Sequence, residues 1–141
     1  MKKIVFDLDG TLLFLANDWE SYYQKFINKY NLNVTPKTLF STIGTFEKYY
    51  CDKIVTKETL IEFLNEKLSA NMPNNALDDF FNYYASIKLL NTDNISKLLE
   101  YLSSKYELFA YSNWFTEEQE YRLERYDLKK FFKKEIGRAH V

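Results

Sequence analysis

The chain has 141 residues, 46% of them hydrophobic and 28% charged, which is room for one globular domain with a core, or for one domain and part of another; the length argues against two complete domains, and the composition excludes collagen-like repeats and disordered tracts. Its 19 basic and 20 acidic residues leave a formal charge of -1 and a pI near 5.9, so nothing electrostatic argues for nucleic acid or an anionic membrane as partner. The single cysteine, Cys51, can form neither an internal disulfide nor a CxxC metal site and reads as a half-buried structural thiol of a cytoplasmic protein; no apolar run approaches the roughly 20 residues of a membrane helix.

Lys3 to Leu8 reads as a buried strand, with Ile4, Val5 and Phe6 continuous, ending in a turn at Gly10-Thr11. From Asn17 the spacing becomes helical: Trp19, Tyr22, Tyr23, Phe26, Ile27 and Tyr30 share a face, and Asn17-x-x-Glu20 has the form of a capping box. Thr35-Pro36 is an N-cap followed by proline at the first helical position, and Leu39, Phe40, Ile43 and Phe46 extend an apolar face. A third helix is expected from near Thr56, with Leu60, Ile61, Phe63, Leu64 and Leu68 inward, and a fourth from about Asn75, with Leu77, Phe80, Phe81 and Tyr84 on one stripe. Such aromatic stripes are core packing rather than a cofactor box. Asp93 then caps a helix carrying Ile95, Leu98, Leu99 and Leu102, and Glu107 to Tyr111 forms a second strand ending at Ser112-Asn113. Thr116-x-x-Gln119 has the form of another capping box, for a helix running toward Tyr126. Lys129, Lys130, Lys133 and Lys134, beside Phe131-Phe132, read as a solvated helix end. The order is that of an α/β core interrupted by a helical insertion after its first strand.

Residues Glu135 to Val141 break from this composition, holding the only His and one of the 3 Gly. Back-translated as GAG ATC GGA AGA GCA CAC GTC, they read as a common sequencing adapter. The tail is therefore expected to be an artefact, with the natural sequence running to about Lys134 and continuing beyond it.

The sharpest feature is the pair Asp7 and Asp9, at i and i+2 just past the first strand. In extended backbone both would point to the same side, and a turn at Gly10 would open main-chain amides toward the same space. Neighbouring carboxylates repel unless a cation or a shared proton relieves them, and Mg²⁺, which takes oxygen ligands, suits the position.

Phe6-Asp7-Leu8-Asp9-Gly10-Thr11-Leu12 resembles the first motif of the haloacid dehalogenase (HAD) superfamily, Asp-x-Asp-Gly-Thr after a hydrophobic strand, and the match from Asp7 to Leu12 is complete. Leu108 to Trp114 resembles the second motif, a hydrophobic strand ending in Ser or Thr. The insertion between them, about Ala16 to Leu90, matches the family's helical C1-type cap. The resemblance implies an α/β fold with a HAD-like Rossmannoid parallel sheet, incomplete here, and an inserted four-helix cap: residues 1–15 and 91–134 as partial core, 16–90 as cap, and 135–141 as the artefact. It further implies a Mg²⁺-dependent phosphate-monoester hydrolase acting on a small phosphorylated metabolite, through an aspartyl-phosphate. Asp7 would be the nucleophile and a metal ligand; Asp9 would be general acid and then base, with its main-chain carbonyl on the metal. Gly10, Thr11, Ser112 and Asn113 would bind the phosphoryl group. Ser112 alone is equally a strand-end cap; paired with Asp7 and Asp9, the phosphate role prevails.

A halide leaves without a proton and an alkoxide does not, so a second carboxylate favours a phosphatase or phosphomutase over a dehalogenase. Phe14-Leu15 departs from the polar residue many relatives carry after the Thr-Leu pair. The family's third-motif Lys and fourth-motif acidic residues should follow another strand, and the chain stops before them; as it stands it is expected to be inactive. A non-catalytic fragment or binding module is the alternative from a different class. A phospho-accepting receiver domain is disfavoured, because receivers alternate strand and helix without a four-helix insertion. Nothing in the pattern specifies an oligomeric state.

Overall fold

The computed structural model describes residues 1–50 and 55–133, so the expectations for Cys51, Lys134 and the 135–141 tail lie outside the described residues. In chain order the elements are β1 (Lys3–Asp7), α1 (Trp19–Lys29), α2 (Pro36–Tyr49), α3 (Lys57–Leu68), α4 (Ala76–Ser86), α5 (Thr92–Ser103), β2 (Glu107–Tyr111), α6 (Thr116–Arg125) and a 3-10 turn at Lys129–Phe131. Among the described residues they form two compact units, one made of 1–16 and 88–133, the other of Asn17–Ile87. Among the described residues no helix is long and apolar enough to cross a membrane.

The first unit is α/β, with a parallel sheet of two strands among the described residues. β1 and β2 pair in register from Lys3 with Glu107 to Asp7 with Tyr111. Leu8, Leu12, Leu13, Leu99, Leu108, Ala110, Leu123 and Leu128 form its core, and Ile4 and Phe6 pack against it. The strand that reads as buried in sequence is covered on one face only. Ile4 and Phe6 are half-buried, whereas Val5, pointing the other way as the two-residue period of a strand requires, is 55% exposed. On the far side of β2, Leu108 pairs with Phe132, and the Lys133 amide donates to the Leu108 carbonyl at 2.8 Å. Residues 14–16 and 88–90 lie side by side, Ala16 N donating to Lys88 O at 2.9 Å and Leu90 N to Phe14 O at 2.8 Å.

The second unit is the four helices α1 to α4. α1 packs on α2 and α4, and α3 joins α2 to α4. Their apolar faces meet in Phe26, Ile27, Leu39, Ile43, Phe46, Leu60, Ile61, Leu64, Leu77 and Phe80. Phe40 departs from the expected stripe: it is exposed, with its ring 5.2 Å from Trp19. Two of the caps behave as their chemistry predicts. Thr35 Oγ1 accepts from the Thr38 amide at 3.1 Å, and Thr56 and Thr59 cap each other reciprocally. Asn17 and Glu20 form no capping box, since Asp18 takes the N-cap position without a side-chain bond. Asp93 likewise falls in the first turn of α5, and Asn91, in left-handed backbone, precedes the helix.

Candidate active site

β1 and β2 run parallel, so Asp7, the last residue of β1, and Ser112, the first after β2, stand at the same end of the sheet. Ligands of open α/β sheets bind beyond these carboxyl ends. After Asp7 the chain folds into a tight turn in which the Leu8 carbonyl accepts from the amides of Thr11, Leu12 and Leu13 at 3.1, 2.9 and 2.9 Å. Gly10 sits at φ +77°, a backbone conformation side chains disfavour, and its amide donates to the Leu13 carbonyl at 2.9 Å. The turn sends Leu8, Leu12 and Leu13 into the core and leaves Asp7, Asp9, Gly10 and Thr11 at the surface.

Asp9 is joined to α6. Arg122 Nη1 donates to Asp9 Oδ1 at 2.8 Å, and Gln119 Nε2 donates to Asp9 Oδ2 at 2.6 Å. Arg122 Nη1 also donates to Gln119 Oε1 at 2.8 Å, so the three side chains close a ring. Gln119 Nε2 reaches Ser112 Oγ as well, at 2.8 Å, and the Trp114 amide donates to the same oxygen at 3.0 Å. A guanidinium can only donate, so the Gln119 oxygen must face Arg122 and its NH₂ must face Asp9 and Ser112. Ser112 Oγ, with two donors already on it, has its own proton left to give. Gln119 and Arg122 are 0% and 3% exposed, whereas the Asp9 side chain is 42% exposed.

Two of the expected site residues, Asp9 and Ser112, are thus brought together by a third side chain. Asp7 and Asn113 are exposed near the strand ends. Among the described residues no group of three or more His, Cys, Asp or Glu gathers as a metal cluster. With the Asp9 carboxylate engaged by Arg122 and Gln119, Asp7 is the carboxylate open to a cation. That donor set fits Mg²⁺, which binds through one or two carboxylates and keeps several waters.

Gln119 and Arg122 were not expected in the site. The pattern Thr116-x-x-Gln119 suggests a capping box, yet Phe115 occupies the N-cap position of α6 and the Gln119 side chain turns inward. A signal was present: α6 reads Thr-Glu-Glu-Gln-Glu-Tyr-Arg-Leu-Glu-Arg, with one aliphatic residue, Leu123. A helix with so little apolar surface can pack on a core only by burying polar side chains, and buried polar side chains need partners.

The sequence model of haloacid dehalogenase-like hydrolases matches residues 4–141. No curated protein matches the chain. Among solved structures, a candidate β-phosphoglucomutase of Thermotoga maritima superposes with a TM-score of 0.61 at 20% identity, covering 100% of this chain and 63% of its own. A candidate HAD-hydrolase of Bacillus subtilis, YfnB, bound to magnesium, gives 0.67 at 18% identity over 96% of this chain and 63% of its own. A HAD family enzyme of Bacteroides thetaiotaomicron, in complex with magnesium and inorganic phosphate, gives 0.60 at 14% identity over 99% and 68%. The chain therefore spans less than two thirds of the first two, and at these identities the likeness is one of fold.

Proposed function

The chain belongs to the haloacid dehalogenase-like hydrolases, and on that premise we propose that it carries the nucleophile and the acid-base group of a hydrolase for small phosphate monoesters. The observation that supports this reading is the bonding of Asp9 and Ser112 to one side chain, Gln119, beyond the strand that Asp7 ends. In this mechanism an Asp7 carboxylate oxygen attacks phosphorus and the bond to the leaving oxygen breaks, while Asp9, entering the step in its acid form, delivers its proton to that oxygen and becomes the carboxylate that Arg122 and Gln119 hold. Water then attacks the aspartyl-phosphate, Asp9 takes its proton, and inorganic phosphate departs with Asp7 restored. The Ser112 hydroxyl and the amides around Gly10, Thr11 and Asn113 donate to the phosphoryl oxygens as charge spreads over them. The Asp7 carboxylate and the Asp9 main-chain carbonyl would hold Mg²⁺, which when bound would supply positive charge that lets one anion approach another. A dehalogenase has no use for the proton Asp9 delivers. The inserted four-helix unit takes, in this reading, the part of the cap that selects the substrate.

The test has two arms. With Mg²⁺ and beryllium fluoride, ¹⁹F NMR of the chain is expected to show a bound BeF₃⁻ that Asp7→Asn abolishes; no adduct, or one that survives the substitution, overturns the reading. Phosphate release from p-nitrophenyl phosphate, measured on the same proteins with Mg²⁺ and without beryllium fluoride, separates the classes. Mg²⁺-dependent release lost in Asp7→Asn marks a complete catalyst, and an adduct without release marks a chain holding the nucleophile side of the reaction alone.

A further inference from the structure

We propose that Gln119 and Arg122 of α6 are positioning residues that set the Ser112 hydroxyl as a donor toward the phosphoryl group and hold the Asp9 carboxylate beside it. The inference rests on the phosphoryl-transfer reading and adds two residues to it.

A serine hydroxyl rotates freely and can accept or donate. Here its oxygen already accepts from Gln119 Nε2 at 2.8 Å and from the Trp114 amide at 3.0 Å, so its proton is directed elsewhere. The Gln119 amide could itself be turned end for end, which would place its carbonyl oxygen against the Asp9 carboxylate. Arg122 forbids that orientation by donating to Gln119 Oε1 at 2.8 Å, and the same nitrogen donates to Asp9 Oδ1 at 2.8 Å. The order of dependence is thus readable: Arg122 orients Gln119, and Gln119 orients both Ser112 and Asp9. Both residues are buried, so water does not take over these bonds at low cost, and both lie on one face of one helix at i and i+3. Neither touches the phosphoryl group in this scheme.

The proposal is tested by the affinity of the chain for BeF₃⁻ in the presence of Mg²⁺, followed by ¹⁹F NMR. Gln119→Met and Arg122→Met are expected to melt cooperatively and to bind BeF₃⁻ about 10-fold more weakly than the parent chain. In a Ser112→Ala background the effect of Gln119→Met should shrink, because one of the two groups through which it acts is gone; a loss of packing alone would persist undiminished. A measurement on the unsubstituted chain guards against variants that fail to fold. The ¹⁵N-bound side-chain protons of Gln119, engaged with Asp9 and Ser112, should shift when BeF₃⁻ is added. Unchanged affinity in both variants, an undiminished effect in the Ser112→Ala background, or Gln119 side-chain signals that stay still overturns the positioning role while leaving the Asp7 chemistry standing. If the parent chain takes up no BeF₃⁻, the phosphoryl-transfer reading falls and this inference falls with it.

Discussion

Arg122 Nη1 lies 2.8 Å from Asp9 Oδ1, pairing a guanidinium that is 3% exposed with a carboxylate that is 42% exposed. Removing one partner of a fully buried pair costs roughly 3–5 kcal/mol, whereas surface pairs contribute about 0–1 kcal/mol. With one partner buried and the other half open to water, Asp9→Ala is expected to lower the unfolding free energy by about 2 kcal/mol. In a double-mutant cycle with Arg122→Met, followed by urea denaturation, the two substitutions should couple by roughly 1 kcal/mol or more. Additive effects would show that the pair holds nothing together.

At Gly10 the cost of a side chain is isolated from crowding. Its φ is +77°, yet a Cβ built there meets nothing within 4 Å. Gly10→Ala should therefore lose about 1–2 kcal/mol through backbone strain alone, on the scale for an L-residue in left-handed backbone. If the turn relaxes to relieve that strain, the Asp9 bonds to Gln119 and Arg122 weaken, and BeF₃⁻ affinity falls along with the melting temperature. A variant as stable as the parent would mean that the turn tolerates a side chain.

The legible parts of the molecule were those where one local rule operates. The strand ending at Asp7, the helical spacing from Trp19 to Tyr30 and the Thr35-Pro36 start each follow from a few neighbouring residues. The parts misjudged turn on distant partners. Val5 extends an apolar run, but the face it occupies is decided by which side of β1 is covered. Gln119 fits a capping box three residues after Thr116, but Asp9, 110 positions away in sequence, competes for it with a charge, and a charged acceptor outbids a neutral amide. Asn17 shows the same limit at shorter range, because Asp18 is just as able to precede the helix.

The caps offer a direct comparison of pattern with structure. Thr56 Oγ1 accepts from the Thr59 amide at 3.2 Å, and Thr59 Oγ1 accepts from the Thr56 amide at 3.0 Å. Thr56→Ala should cost about 1 kcal/mol, the usual value of a lost N-cap. Asn17→Ala, at a position that resembles a cap in sequence but makes no such bond, should stay within about 0.5 kcal/mol of the parent. Equal losses in chemical denaturation would mean that α1 is capped through Asn17 in solution.

The four-helix unit contains a titratable link between α1 and α4. Tyr30 donates its hydroxyl proton to Asp79 Oδ2, and Lys29 Nζ lies 2.8 Å from the same oxygen. Burial, followed by the bond to Asp79 and the charge of that carboxylate, pushes Tyr30 from 10.0 up to about 12. Asp79 is held below its usual value of 3.8, first by Lys29 and then by Tyr30, and Lys29 is raised by the same contact. For Tyr30, whose folded value is raised, the linked stability is complete below its unfolded value and is lost as pH rises toward about 12; for Lys29, also raised, it is lost as pH rises through its folded value. For Asp79, whose folded value is depressed, it is present above 3.8 and is lost as pH falls through the folded value. Thermal melting across pH should therefore separate the partners. Tyr30→Phe should flatten the alkaline fall between pH 10 and about 12 relative to the parent. Lys29→Met should flatten the acid loss more than Tyr30→Phe does, because the ammonium contributes most to holding Asp79 below its usual value. An alkaline limb as steep in Tyr30→Phe as in the parent would remove this link from the forces holding α1 to α4.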